Sequence, residues 1–176
     1  DFTFDITAAT LSGGDLKVFN ERNDALKDST IASTSNPLFK YDGTAHTFAK
    51  TTYTNTVASP MKLTDNDYEI RYAENISGVS ASANSTTSTG YIFVVAKGNY
   101  KNTTYSPSGI PVVNGVYTFA DGSKIENIVA AKKFAIAKLA FDKDDVTISN
   151  GSYKGGNNVD PVVTVSYKGK KLVQDV

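Results

Sequence analysis

The chain has 176 residues, enough for one large domain or two small ones, each able to bury a core. Lysine plus arginine equals aspartate plus glutamate at 18 each, without long runs of one sign, so nothing marks a nucleic-acid or anionic-membrane partner. No cysteine and one histidine exclude disulfides and thiolate metal sites, and leave every histidine-dependent catalytic set to His46 alone.

Short alternating runs separated by turn residues dominate, which predicts strands. Residues 20–32 are the exception, a helix candidate of at most two turns with Leu26 and Ile31 on one side. In Asp67-Tyr68-Glu69-Ile70-Arg71-Tyr72 the apolar residues fall on one face and the charged ones on the other, the pattern of a half-buried strand. Residues 75–89 are small and polar and predict a loop or a weak edge strand. Residues 91–96, Tyr-Ile-Phe-Val-Val-Ala, form a continuous apolar run, expected of a central strand buried on both faces. A turn is expected at Asn114, and Asp121-Gly122 between two alternating runs predicts a hairpin at residues 116–128. Val163, Val165 and Tyr167 alternate with Thr164 and Ser166, with Pro161 at the strand entrance. No apolar stretch approaches the length of a membrane span or signal peptide.

An internal repeat organises these elements. Phe4-Asp5-Ile6-Thr7 and Asp15-Leu16-Lys17-Val18-Phe19-Asn20 recur as Phe134-Ala135-Ile136-Ala137 and Asp145-Val146-Thr147-Ile148-Ser149-Asn150, at a constant offset (134 − 4 = 130). Each copy leads to a Tyr-x-Gly turn, at Tyr41-Asp42-Gly43 and Tyr153-Lys154-Gly155, and later to Lys-Leu, at Lys62-Leu63 and Lys171-Leu172. The repeat also decides the Ala- and Lys-rich residues 128–141, which pass for a helix on propensity. Their match to the alternating residues 3–6 predicts a strand from about Lys133.

The order Tyr41-Asp42-Gly43, Lys62-Leu63, Asp67 to Tyr72, Gly98-Asn99-Tyr100-Lys101-Asn102-Thr103 and Phe134-Ala135-Ile136 resembles the bacterial immunoglobulin-like repeats found in tandem in surface and cell-wall proteins. The resemblance spans most of residues 38–176 and departs from a compact module through apparent insertions at residues 21–37 and 105–132, where individual function is expected. It implies an all-β fold of immunoglobulin-like β-sandwich modules in tandem. Residues 1–137 are then one enlarged module, residues 1–7 the last strand of a preceding one, and residues 138–176 the first half of a second. The implied role is a non-enzymatic stalk or spacer, with adhesion, on the outside or wall of a bacterium, whose partners are neighbouring modules and a host or polysaccharide ligand.

Candidate chemistry is sparse. His46, in Thr44-Ala45-His46-Thr47-Phe48, has no nucleophile elbow or orienting frame in the sequence and is expected at the surface or rim. The carboxylates Asp65, Asp67, Glu69 and Asp142, Asp144, Asp145 fit no calcium-loop spacing and read as solvated turn residues. Gly13-Gly14 and Gly155-Gly156 lack the strand-to-helix context of a phosphate cradle. No cofactor, metal or catalytic residue is nominated. Among ten tyrosines, Tyr68, Tyr72, Tyr91 and Tyr167 lie in strand patterns and are assigned to the core. Tyr53, Tyr105 and Tyr117 are less constrained and are the candidates for a ligand surface, the alternative role being a carbohydrate-binding module that recognises a polysaccharide through exposed tyrosines.

Overall fold

The structure is a computed structural model that describes residues 9–11, 14–55, 63–64, 66–80, 85–101 and 104–139 with their side chains, and residues 146–149, 162–167 and 170–171 as backbone strands. The expected strand at residues 4–7, Lys62, Asp65, the carboxylates Asp142, Asp144 and Asp145, the Tyr153-Lys154-Gly155 turn and the side chain of Tyr167 lie outside the described residues. Among the described residues strands predominate, at 45% against 3% helix, so the fold is all-β.

In chain order the elements are β1 (Ala9–Thr10), β2 (Asp15–Phe19), the single-turn helix α1 (Asp28–Ile31), β3 (Phe39–Lys40), β4 (Lys50–Thr54), β5 (Tyr68–Ala73), β6 (Val79–Ser80), β7 (Thr87–Ala96), β8 (Tyr100–Lys101), β9 (Val112–Val113), β10 (Val116–Thr118), β11 (Lys124–Ile125), β12 (Ile128–Ala137), β13 (Val146–Ser149), β14 (Val162–Tyr167) and β15 (Lys170–Lys171). They divide between two compact units, Asp1–Lys138 and Leu139–Val176.

The first unit is built around a sheet of order β3-β12-β7-β5, with β6 beside β7 past the end of β5. Its spine is the antiparallel pair β7 and β12, in register from Val95 opposite Ile128 to Thr87 opposite Ala137, with a bulge between Ile128 and Ala130. Alternation along β7 sends Ile92, Val94 and Ala96 into one apolar cluster and Tyr91, Phe93 and Val95 into another. The first face is covered by the antiparallel pair β2 and β4 through Leu16, Val18 and Tyr53, together with Ile31 of α1 and Phe48. The second face is covered by the small sheet β11-β10-β9 through Val112, Tyr117 and Ile125. The central run is thus buried on both faces, as its unbroken apolarity predicts, because two separate small sheets lie on it.

The turn chemistry follows the sequence. Asn114 and Gly115 take φ of +51° and +74° between β9 and β10, and Gly122 takes +85° between β10 and β11. These are left-handed conformations that Gly and Asn enter at least cost. Asp121 accepts the backbone N–H and the hydroxyl of Ser123, closing the second turn. Those same bonds hold the Asp121 carboxyl below the usual carboxylate range.

Two strands start earlier than expected, and the helix keeps within its expected bound of two turns. Residues 20–32 make a helix of one turn, because the Asn20 side chain accepts the N–H groups of Arg22 and Asp24 and holds the segment in a turn instead. Ile31 is fully buried and Leu26 packs against the same cluster, so the anticipated apolar side exists. β7 begins at Thr87, inside the stretch read as a loop or weak edge strand, in which β6 is the edge strand: Thr87 and Ser88 are buried, and the Ser88 hydroxyl donates to the carbonyl of Ser77. β12 begins at Ile128, ahead of Lys133, because its partner β7 offers pairing along the whole segment.

In the second unit the strand order is β13-β14-β15, with Val146 opposite Val165 and Ile148 opposite Val163. β13 occupies the positions of residues 16–19 displaced by the repeat offset (146 − 16 = 130), and both segments are strands with an antiparallel neighbour. Among the described residues no helix is long and apolar enough to cross a membrane.

Candidate functional site

The three tyrosines expected on a ligand surface are held by the fold itself. Tyr53 is 7% exposed on β4, edge-on to Tyr68 at 5.5 Å between ring centroids. Tyr117 is 4% exposed on β10, between Tyr91 at 5.6 Å and Phe93 at 5.2 Å. Tyr105 is half-buried, and its hydroxyl oxygen accepts the Ala131 N–H at 3.0 Å. Burial of Tyr53 and Tyr117 corrects the expectation that their rings are exposed for stacking on a sugar. In the insertion at residues 105–132, Tyr117 covers Tyr91 and Phe93. Of the tyrosines assigned to the core, Tyr91 is buried and Tyr68 and Tyr72 pack partly buried against the first cluster.

Burial raises the hydroxyl pKa of Tyr53, Tyr72, Tyr91, Tyr105 and Tyr117, because the phenolate is the form that suffers from lost hydration. Tyr53 is pushed up to about 12 by burial and by neighbouring Tyr105, and Tyr117 is raised by burial and then by the Glu74 carboxylate. A tyrosine whose folded pKa lies above its unfolded value of 10 contributes stability that is complete below pH 10 and lost as pH rises through the folded value. Urea unfolding is therefore expected to give a constant midpoint up to pH 10 and a falling one between pH 10 and 12. Tyr53→Phe should remove part of that fall; an identical pH profile in the variant would contradict the assignment.

His46 is more enclosed than a surface histidine, its side chain being 10% exposed. The imidazole stacks on Phe39 at 5.0 Å, its Nε2 is buried without a hydrogen bond, and the nearest carboxylate, Asp42, stands 3.8 Å away. The Asp42 carboxyl lies below its ordinary range because it accepts the hydroxyl and N–H of Thr44. Stacked on Phe39, His46 is a packing residue of the β3 to β4 loop. Asp67 caps a turn by accepting the N–H and hydroxyl of Thr64, and Glu69 pairs with Arg71 and Lys97. Among the described residues no three His, Cys, Asp or Glu side chains gather as metal ligands would. Lys132 of β12 meets the exposed Asp28 of α1 in an ion pair that fastens the helix to the sheet.

One concave feature stands apart. The turn after β5, with Phe119 from the end of β10, encloses an open recess of about 220 Å³ lined by Glu74, Asn75, Ile76, Ser77 and Phe119. Glu74 sits at φ +53°, a region a non-glycine residue enters only where its surroundings fix it. Those surroundings are specific. The Glu74 carboxylate accepts the Tyr117 hydroxyl at 3.3 Å, and the Asn75 carbonyl accepts the His46 N–H at 2.8 Å. The Asn75 amide donates to the His46 carbonyl at 3.0 Å, and the Ser77 carbonyl is bound by Ser88. Sequence reasoning missed this site because Asn75 to Ser77 read only as the start of a polar loop or weak edge strand. The one available signal was Phe119, an aromatic directly before a tight turn and in phase with the buried Tyr117.

Comparison with family models, with curated proteins and with solved structures returns no match for this chain.

Proposed function

We infer that the chain is a non-enzymatic, immunoglobulin-like part of a multi-domain bacterial surface protein, in which it acts as a stalk or spacer. Residues 1–137 form one enlarged β-sandwich module and residues 138–176 open a second, so that neighbouring modules are the immediate partners and the outside of the cell or its wall is the location. The internal repeat supports this reading, as does the recurrence of a strand at residues 16–19 and 146–149. The observation that carries it is the way β12 leaves the first unit. This last strand of the unit is paired along its length with antiparallel β7 and at its end with parallel β3, Ile136 opposite Phe39 and Ala137 opposite Lys40. Tension applied along β12 loads these hydrogen bonds together, in shear, rather than one after another. A load-bearing spacer needs that arrangement.

Single-molecule force extension of the chain, flanked by reference domains, tests the proposal. The first unit is expected to give one cooperative rupture that releases roughly 3.4 Å of contour per unfolded residue. A featureless extension without a rupture peak would refute the mechanical role.

A further inference from the structure

We propose that the recess formed by residues 74–77 and Phe119 binds one neutral pyranose ring of a glycan. At about 220 Å³ against the several hundred usual for larger organic ligands, the open recess holds one ring of a ligand rather than the whole of a large one. Its lining has the two-sided chemistry of a sugar. Ile76, 46% exposed, and the ring of Phe119 supply an apolar wall for the C–H face. Glu74, Asn75 and Ser77 supply a carboxylate, an amide and a hydroxyl for the hydroxyl rim. Among the described residues no cationic side chain lines the recess, and the Glu74 carboxylate repels anions, which counts against phosphates and acidic sugars. A purely apolar guest would leave the Glu74 carboxylate desolvated and short of partners. An ammonium would satisfy Glu74 but leave the amide and hydroxyl unused.

The recess is also held in shape before any ligand arrives, which lowers the ordering cost that limits binding of small sugars. Phe119 is fixed edge-on against Tyr117, centroids 5.1 Å apart with planes at 87°. The turn is pinned from below: a Cβ on Gly90 would lie 3.2 Å from the Glu74 carbonyl oxygen, so the central strand approaches the turn as closely as its backbone permits. With the Tyr117, His46 and Ser88 contacts already described, both walls of the recess are fixed to the packed sheet.

Titration of the ¹⁵N-labelled chain with methyl glycosides of glucose, galactose, mannose and N-acetylglucosamine, followed by amide chemical shifts, tests the assignment. At least one glycoside is expected to give saturable millimolar shifts confined to residues 74–77 and 118–120. Glu74→Gln preserves size and the acceptor for Tyr117, and Phe119→Leu preserves apolar volume without the ring. Each is expected to weaken that binding about tenfold or more while the spectrum stays folded. Val113→Thr, at a residue 65% exposed on β9, should leave it unchanged. The proposal is overturned if none of the four glycosides shifts these amides at concentrations up to about 50 mM. It is equally overturned if the shifts survive both variants, or if methylammonium titrates the site and the glycosides do not.

Discussion

Truncation of Phe134 to alanine is expected to lower the stability of the first unit by about 3–5 kcal/mol, measured by urea unfolding. Phe134 is fully buried on β12, and its ring meets Phe39 at 5.3 Å, Phe48 at 5.4 Å and Tyr72 at 6.4 Å, all edge-on. It therefore joins β12 to β3, to the loop before β4 and to β5 at one point. The ring lies across Gly90, its direct partner on β7, where an added Cβ would sit 2.5 Å from the ring carbon Cζ. Gly90→Ala should consequently cost about 1–3 kcal/mol through overpacking. The two changes should not be additive: in a Phe134→Leu background the penalty of Gly90→Ala should shrink, with a coupling of about 0.5–3 kcal/mol. An equal penalty in both backgrounds would show that Gly90 does not exist to receive that ring.

The second large effect concerns the insertion. Tyr117→Ala should destabilise the unit by about 3–5 kcal/mol and raise binding of a hydrophobic dye, since it uncovers Tyr91 and Phe93 on the central strand. Tyr117→Phe keeps the ring and deletes only the 3.3 Å bond to Glu74, and its cost should stay near 0.5–1.5 kcal/mol. A similar loss in both variants would mean that the hydroxyl, and not the covering of the sheet, is what residue 117 contributes.

The local elements were legible where one physical rule governed them. Asp121-Gly122 announced its hairpin through the φ that glycine tolerates, and residues 91–96 announced a doubly buried strand through their unbroken apolarity. Residues 20–32 hold the short helix expected of them, placed at Asp28–Ile31 because the Asn20 side chain captures backbone donors earlier in the segment, a competition helical periodicity does not register. Tyr53 and Tyr117 misled. Whether an aromatic on a short strand faces solvent depends on which sheet that strand lies against, and this is settled by residues far away in sequence: Tyr117 of β10 on Tyr91 and Phe93 of β7, Tyr53 of β4 on Tyr68 of β5. The recess at residues 74–77 was illegible on the same ground, since its aromatic wall comes from Phe119, supplied by another element.

The turn that shapes the recess also governs how chains meet in crowded surroundings. β5 and β6 lie on the same side of β7, opposite β12, so together they form the outer rim of the central sheet. Residues 74–78 interrupt that rim, with the left-handed Glu74 and Gly78 turning the backbone out of line between the two pieces. The opposite rim, β3, is only two residues long. The rim on the β5 side is thus cut into pieces of six and two residues, which shortens the straight row of amide and carbonyl groups that a strand from another molecule could extend.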